Sequence, residues 1–201
     1  MTSERIAAFS DGVIAIIITI MVLELKVPHG ADINALSGVL PVFLTYVLSF
    51  IVLGIYWNNH HHMLFLTDRV TGGVLWANLH LLFWLSLMPF VTGWMGENHF
   101  AAMPTALYGA VLLFAGIAYY VLERTIIRNQ GANSRLEAAV GSDRKGMISV
   151  VLYAVAIPLA FVNQWIADAI YILVALMWLI PDRRIESLYD ELEKNGSEAR
   201  S

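Results

Sequence analysis

The sequence contains no cysteine. It can therefore form neither a disulfide bond nor a thiolate metal site, while the cellular compartment stays open. Charged residues are also scarce, at 14% of the chain, whereas soluble domains carry about a quarter. The net charge of −4 comes without any run of basic residues, so the chain lacks the electrostatic surface that nucleic acid requires. These absences disfavour a soluble protein and exclude nucleic acid as a partner.

Apolar residues dominate what is present. They make up 58% of the chain, and the mean hydropathy is +0.66. A helix needs about 17–25 apolar residues to cross the hydrocarbon core. Asp11 interrupts the first apolar run, which is untypical of a cleaved signal peptide, so we expect this run to stay in the protein as a span. We predict an all-α membrane protein with a six-helix transmembrane domain over 1–180 and a cytoplasmic tail over 181–201. The predicted spans lie near 6–25, 40–66, 74–95, 104–123, 147–163 and 165–180.

The basic residues fall on one side of this predicted topology. With six spans, the N-terminus, the second and fourth loops and the tail share a side, and they hold 11 of the 12 Lys and Arg residues. Lys26 is the exception. Because basic loops tend to stay in the cytoplasm, we predict that both termini are cytoplasmic. The chain is then a multi-pass protein of the cell membrane.

Polar residues of three predicted spans fall at one membrane depth. Asp11 lies near the cytoplasmic end of the first span, and an ionised aspartate that faces lipid is expensive, so we expect it to turn inward toward donors. The second span ends and the third begins at this depth, which predicts a hydrogen-bonded structural clamp between the three helices. The predicted members are Arg5, Phe9, Ser10, Asp11, Trp57, His60, His61 and Asn78, of which Arg5, Trp57, His60, His61 and Asn78 are the candidate donors to Asp11.

Three consecutive histidines, at 60–62, raise the question of a metal site. Neighbouring residues on a helix point about 100° apart, so the three side chains cannot all face one ion. The sequence also has no HExxH pattern and no paired carboxylates at ligand spacing. We therefore predict neither a metal site nor an enzyme, while a pH response through the histidines stays open.

The first span carries an apolar stripe along one face. Val13, Ile16, Ile20 and Leu23 follow an i, i+3, i+7, i+10 spacing, and Thr19 lies beside them. In a membrane helix such a stripe is most often a surface that faces lipid or packs against another helix. Its periodicity alone assigns it no function.

Short motifs in the first three predicted spans form a combined pattern. They are R-x-x-x-F-S-D from Arg5 to Asp11, Y-W-x-x-H-H from Tyr56 to His61, and Asn78 with Pro89. Together they resemble the transmembrane protein 175 family, the lysosomal and bacterial potassium channels. The resemblance is densest over these three spans, and the chain length and the six predicted spans agree with the bacterial members.

The resemblance implies a homotetramer in which the first helix of each subunit lines a central pore. In that family the narrowest part of the pore is a ring of bulky aliphatic side chains, which would here be Ile16, Ile20 and Leu23. Val13 and Thr19 would also line the pore. The resemblance further implies a lipid-embedded channel that conducts potassium and other monovalent cations passively, through a hydrophobic gate and without a cofactor.

A secondary ion transporter or cation/proton exchanger is the alternative function. Such proteins place carboxylates within the membrane and use broken helices. Beyond the first span, Glu123 and Asp168 lie at the ends of predicted spans, and neither stands out as a coupling carboxylate. We therefore favour a channel and retain the exchanger as the alternative.

Overall fold

The described part of the chain is helical, and the computed structural model describes residues 2–67, 69–131, 134, 136–137 and 144–179. The all-α prediction is confirmed for this part of the chain. In chain order the helices are α1 (Ser3–Leu23), α2 (Ile33–Ser37), α3 (Leu40–Phe65), α4 (Gly72–Ser86), α5 (Met88–Glu97), α6 (Ala102–Gln130), α7 (Arg144–Val162) and α8 (Gln164–Leu179).

Five apolar segments are long enough to cross a membrane. They are α1, α3, the α4–α5 pair, α6 and α7. α8 is apolar as well, but with 16 residues it is shorter than these. α8 coincides with the sixth predicted span, 165–180, as far as Leu179, so the count of six spans stays a prediction. The predicted tail, 181–201, lies outside the described residues.

Prolines explain two helix starts and one break. Pro41 and Pro104 lie in the first turns of α3 and α6, where a backbone N–H has no intrahelical acceptor to lose. The predicted third span is two helices, because the α-helical ladder breaks at Leu87 between α4 and α5. Pro89 in the first turn of α5 has no N–H with which to continue that ladder.

α1 packs against the bundle through a single face. Ile6, Ser10, Ile14, Ile17 and Met21 are buried, and they recur every three or four residues. This face contacts α3, α4 and α5. The buried stripe therefore sets the rotation of α1 about its own axis.

α6 is the central helix, because it packs against α4, α5, α7 and α8. Two glycines permit close approaches between helices. A Cβ on Gly109 of α6 would overlap the hydroxyl of Tyr171 on α8, and a Cβ on Gly96 of α5 would lie 2.6 Å from Cα of Val42 on α3. Small residues let membrane helices pack closely in this way.

The two ends of the bundle are distinguished by their helix termini. At the basal end, where α1 begins, Nε2 of Gln130 on α6 donates to the carbonyl of Leu66 just beyond α3 over 2.7 Å. Trp178 of α8 donates to Ser149 of α7 at the same end, over 2.8 Å. At the distal end, where α1 stops, Lys26 forms an ion pair with Glu97 of α5.

Candidate pore helix and polar cluster

The apolar stripe of α1 points away from its own subunit. The exposed fractions of its side chains are 60% for Ile16, 42% for Ile20 and 77% for Leu23. On the opposite face, Ile14 and Ile17 are buried in the core. Within one copy of the chain, the three predicted constriction residues therefore form a continuous exposed surface.

Val13 is the first residue of this stripe and Thr19 lies beside it, and the two side chains have different surroundings. Thr19 is exposed, and its hydroxyl donates to the carbonyl of Ala15 in the same helix over 2.8 Å, so its oxygen lone pairs can face outward. Val13 is partly buried and packs against the core. Of the two, Thr19 shares the exposure of the stripe more fully.

A buried polar cluster joins α1, α3 and α4 near the basal end. Nε2 of His60 lies 2.7 Å from Oδ1 of Asn78, and Nδ2 of Asn78 donates to Oγ of Ser10 over 3.0 Å. The Ser10 hydroxyl in turn donates to the carbonyl of Ile6 over 2.8 Å. The exposed fraction is 1% or less for each of Ser10, His60 and Asn78. The structure thus brings together three of the residues predicted from membrane depth.

Asp11 makes a separate, more exposed contact at the same end. The indole Nε1 of Trp57 donates to Oδ1 of Asp11 over 2.9 Å, so Trp57 is the donor among those considered for Asp11. The ring of His61 lies 6.2 Å from that of Trp57. Arg5 and Phe9 are on the exposed side of α1. The predicted polar layer therefore consists of the buried Ser10–His60–Asn78 cluster and the more exposed Asp11–Trp57 pair. Arg5 and Phe9 lie outside both.

The distal end of α1 is tied to α5 by charge. Lys26 donates a hydrogen bond to Oε1 of Glu97, and this bond, with the attraction of the carboxylate, raises the pKa of Lys26 above its ordinary value. Both side chains are largely exposed, so salt screens the pair. The contact positions the end of α1 without burying charge.

A second cluster of hydroxyl groups was not anticipated from the sequence. Oγ of Ser49 on α3 lies 2.7 Å from Oγ1 of Thr92 on α5 and 3.1 Å from Oη of Tyr108 on α6. All three side chains are buried. Isolated Ser and Thr residues within apolar spans were the available signal, but such residues can also bond to their own helix backbone, so the sequence does not reveal the partners.

Two acidic side chains at the ends of predicted spans are buried. The exposed fraction is 3% for Glu123 and 7% for Asp168. Oε1 of Glu123 lies 3.6 Å from Nε of Arg124. Among the residues that the structure covers, neither carboxylate oxygen of Asp168 has a hydrogen-bond partner. Asp168 is the fifth residue of α8, whereas Glu123 lies about two turns before the end of α6, which continues to Gln130 beyond the predicted span end. The sequence did not predict the burial of either residue.

Comparisons with known proteins agree with the motifs. The model of the family described as "Endosomal/lysosomal potassium channel TMEM175" matches residues 5–89. A potassium channel from Chryseobacterium sp. (strain P1-3) is 56% identical over 191 residues, covering 95% of this chain and 100% of that protein. A potassium channel from Streptomyces collinus is 32% identical over 190 residues, covering 88% and 91% of the two chains.

A solved structure agrees with the fold. The crystal structure of a lysosomal potassium-selective channel TMEM175 homolog from Chamaesiphon minutus superimposes with a TM-score of 0.76 at 27% identity. The match covers 89% of this chain and 96% of that one. The resemblance inferred from the motifs is confirmed by these matches. The chain belongs to the TMEM175 family, which is a family of multi-pass membrane channels and not of enzymes.

Proposed function

We propose that the chain is a potassium-permeable cation channel in which four copies surround a central pore lined by α1. Ile16, Ile20 and Leu23 of each copy form a hydrophobic constriction, and ions pass passively down their electrochemical gradient. The bacterial relatives are named potassium channels, and the solved relative a potassium-selective channel. These names support potassium as the permeant ion.

The observation that carries the proposal is the exposed stripe on α1. The helix packs into its subunit through the opposite face, so Ile16, Ile20 and Leu23 must meet either lipid or other copies of the chain. One pore helix per chain cannot enclose a conduit by itself. A ring of several copies would give these aliphatic side chains a common axis and leave the rest of each bundle outside.

A ring of aliphatic side chains controls ions through water. A narrow apolar constriction excludes water, and a cation that sheds its hydration there is strongly destabilised. The pore closes by dewetting and opens when the rings widen or rotate enough to admit water. Potassium gives up its hydration more readily than sodium. The aliphatic side chains of the ring offer no oxygen to compensate the lost hydration, so the discrimination between the two ions is modest. Thr19 presents a hydroxyl oxygen beside the rings.

The basal polar residues set the rotation of the pore helix. Asp11 lies about 8 Å from Ile16 along the axis, at 1.5 Å per residue. Ser10 is held by Asn78 and Asp11 by Trp57, so two neighbouring residues of α1 are anchored to α4 and α3. On this proposal the clamp keeps the stripe directed at the pore axis.

The proposed topology has six spans with both termini in the cytoplasm. α8 is then the short sixth span, which returns the chain to the side on which α1 begins. Five apolar segments of full length and one short apolar helix support this arrangement. The predicted loops and termini of one side hold 11 of the 12 basic residues, and this bias in the sequence supports the orientation.

The test is ion flux through the purified protein in potassium-loaded liposomes. Through a channel, potassium leaves the liposomes in quantity only if another ion enters to balance the charge. Proton entry is measured with a pH-sensitive dye. It should require an added proton ionophore. The mass of the purified oligomer should correspond to four chains. Flux equal to that of protein-free liposomes, or a monomeric mass, would refute the proposal.

The exchanger alternative keeps one specific observation in its favour. Asp168 is a buried carboxylate on α8 whose oxygens accept no hydrogen bond from the described residues, and buried carboxylates are typical of proton-coupled transporters. An electroneutral exchanger would move protons in the same liposomes without the ionophore and without a steady electrical current. Loss of that proton movement in Asp168→Asn, with protein fold intact, would establish the exchanger.

A further inference from the structure

A cavity lies between α3, α6, α7 and α8, away from the proposed pore helix. Its volume is about 380 Å³, within the range of roughly 300–1,000 Å³ that small-molecule sites occupy. The lining is mostly apolar and aromatic. It includes Val52, Tyr56, Gly116, Val150, Tyr153 and Trp178.

The cavity sits toward the basal end and reaches the outside of the subunit. Asn59 on α3 and Tyr119 on α6 line it, and the Tyr119 hydroxyl donates to the carbonyl of Asn59 over 3.4 Å. On α7, Met147 and Val151 line it as well. These two side chains are 60% and 61% exposed, so they form a rim that faces the surroundings. In a membrane, the surroundings at this depth are lipid chains close to their headgroups.

Two cations rest on aromatic rings that line the cavity. The guanidinium carbon of Arg124 lies 5.0 Å from the ring centroid of Tyr120. Nζ of Lys145 lies 6.0 Å from the ring centroid of Trp178, whose indole is held by Ser149. Such cation–π contacts fix the positions of cations near apolar surfaces. Positive charge is thereby placed next to an apolar cavity.

The carboxylate of Glu123 lies beside one of these cations. Oε1 of Glu123 lies 3.6 Å from Nε of Arg124, and its side chain is buried while that of Arg124 is 34% exposed. The carboxylate therefore holds the inner part of the Arg124 side chain.

We propose that this cavity binds an acyl chain of an anionic phospholipid, whose phosphate is held by Arg124 and Lys145. Apolar walls suit a hydrocarbon chain, and basic pockets between membrane helices on the cytoplasmic side are typical sites for anionic headgroups. A free phosphate ion would leave the apolar cavity unfilled. The lipid site lies outside the proposed ion pathway and does not depend on it.

The test is native mass spectrometry of the delipidated full chain with defined lipids. Phosphatidylglycerol should be retained about fivefold more tightly than phosphatidylcholine of the same chains for each cation that contacts the phosphate. Equal retention of the two lipids would overturn the proposal. The readout requires no ion flux, so its result is independent of whether the chain conducts potassium.

Substitutions at two valines of α7, one turn apart, test whether the cavity binds the acyl chain. Val151→Trp fills the rim of the cavity, whereas Val155→Trp adds the same bulk at a position that is 47% exposed and outside the lining. The first should lose most bound phosphatidylglycerol and the second should retain it. Gly116→Ala is a milder variant, because its Cβ would make only ordinary contacts, at 3.6 Å or more; it should weaken retention to a smaller degree.

Substitutions at two basic residues test whether Lys145 binds the phosphate of the headgroup. Lys145→Gln should lower the preference for phosphatidylglycerol about fivefold, and Arg128→Gln, which removes the same charge from an exposed position of α6, should lower it less than twofold. Equal effects of the two changes would overturn the phosphate assignment. A change of oligomer mass in Val151→Trp without any change in lipid retention would instead mean that a second copy of the chain covers the cavity, and would also overturn the proposal.

Discussion

His60 and Asn78 connect two helices through a buried hydrogen bond of 2.7 Å. The amide of Asn78 extends the connection to a third helix, because its Nδ2 donates to Oγ of Ser10. The Ser10 hydroxyl donates to the carbonyl of Ile6 in its own helix. These hydrogen bonds therefore connect α3 through α4 to α1. Buried polar groups within a membrane find no water to replace a lost partner. The relationship fixes the register of α1 against its neighbours.

Ser10→Ala should destabilise the protein by removing the acceptor of the Asn78 amide. The expected loss is about 0.6–1.7 kcal/mol, which runs from the average to the maximum measured for hydrogen bonds between the helices of a membrane protein. Unfolding of the purified protein in mixed micelles measures it. Ser86→Ala is the matched control, because Ser86 is exposed and, among the described residues, its hydroxyl bonds to the carbonyl of Phe83 in its own helix. Equal losses for the two variants would show that the cluster does not hold the helices.

Asp11→Ala should weaken the subunit and its assembly, because the Trp57 indole loses its acceptor. Asp11→Asn keeps an oxygen at that position and should preserve most of the stability. Trp57→Phe should cost about as much as Asp11→Ala, and the double variant should lose less than the sum, since both changes remove one bond. The same unfolding assay and the oligomer mass measure these effects. If Asp11→Asn keeps its stability and loses potassium flux, the carboxylate acts on ions rather than as an anchor.

Ile16→Asn or Ile20→Asn should raise resting potassium flux. A polar side chain in the ring admits water and lowers the dehydration barrier, and a fall of about 1.4 kcal/mol corresponds to tenfold faster flux. Liposome flux at matched protein density measures the change. Val22→Asn is the control on the same helix, because Val22 is also exposed but lies about 120° around the helix from Ile16 at 100° per residue. Unchanged flux in both isoleucine variants would contradict a hydrophobic constriction.

Gly96→Ala should destabilise the contact between α3 and α5. The added Cβ would lie 2.6 Å from both Cα of Val42 and Oγ1 of Thr45, and the backbone of Val42 can yield only by moving α3. The expected cost is about 1–3 kcal/mol, which is typical of overpacking. Gly93→Ala on the same helix is the control, because its Cβ would meet no atom of the described residues within 4 Å. It should be neutral or stabilising, and comparable losses in micelle unfolding for both variants would argue against the close approach.

The amino-acid pattern predicted much of the fold and part of the polar cluster. Apolar runs located the helices, and orientation in the membrane placed Ser10, His60 and Asn78 at one depth, where the structure joins them. The shared membrane depth did not predict which residue donates a hydrogen bond to Asp11. Arg5 and Trp57 were both candidates, and the rotation of each helix decided in favour of Trp57.

Other features depended on contacts that no local pattern encodes. The Ser49–Thr92 pair joins α3 to α5, yet each residue could equally have bonded to its own helix. The break at Leu87 divides a run that is apolar throughout, so hydropathy predicted a single span. The burial of Asp168 follows from the packing of α8 against α6 and α7.

The sequence by itself determined the class of the protein, the approximate positions of its apolar helices and the stripe on α1, because hydrophobic length and helical period are local properties of the chain. Only the tertiary structure decided which face of α1 is buried, which residue meets Asp11 and where α3, α6, α7 and α8 leave a cavity. Those outcomes depend on how side chains from distant segments pack together, and that packing sets the rotation and spacing of every helix.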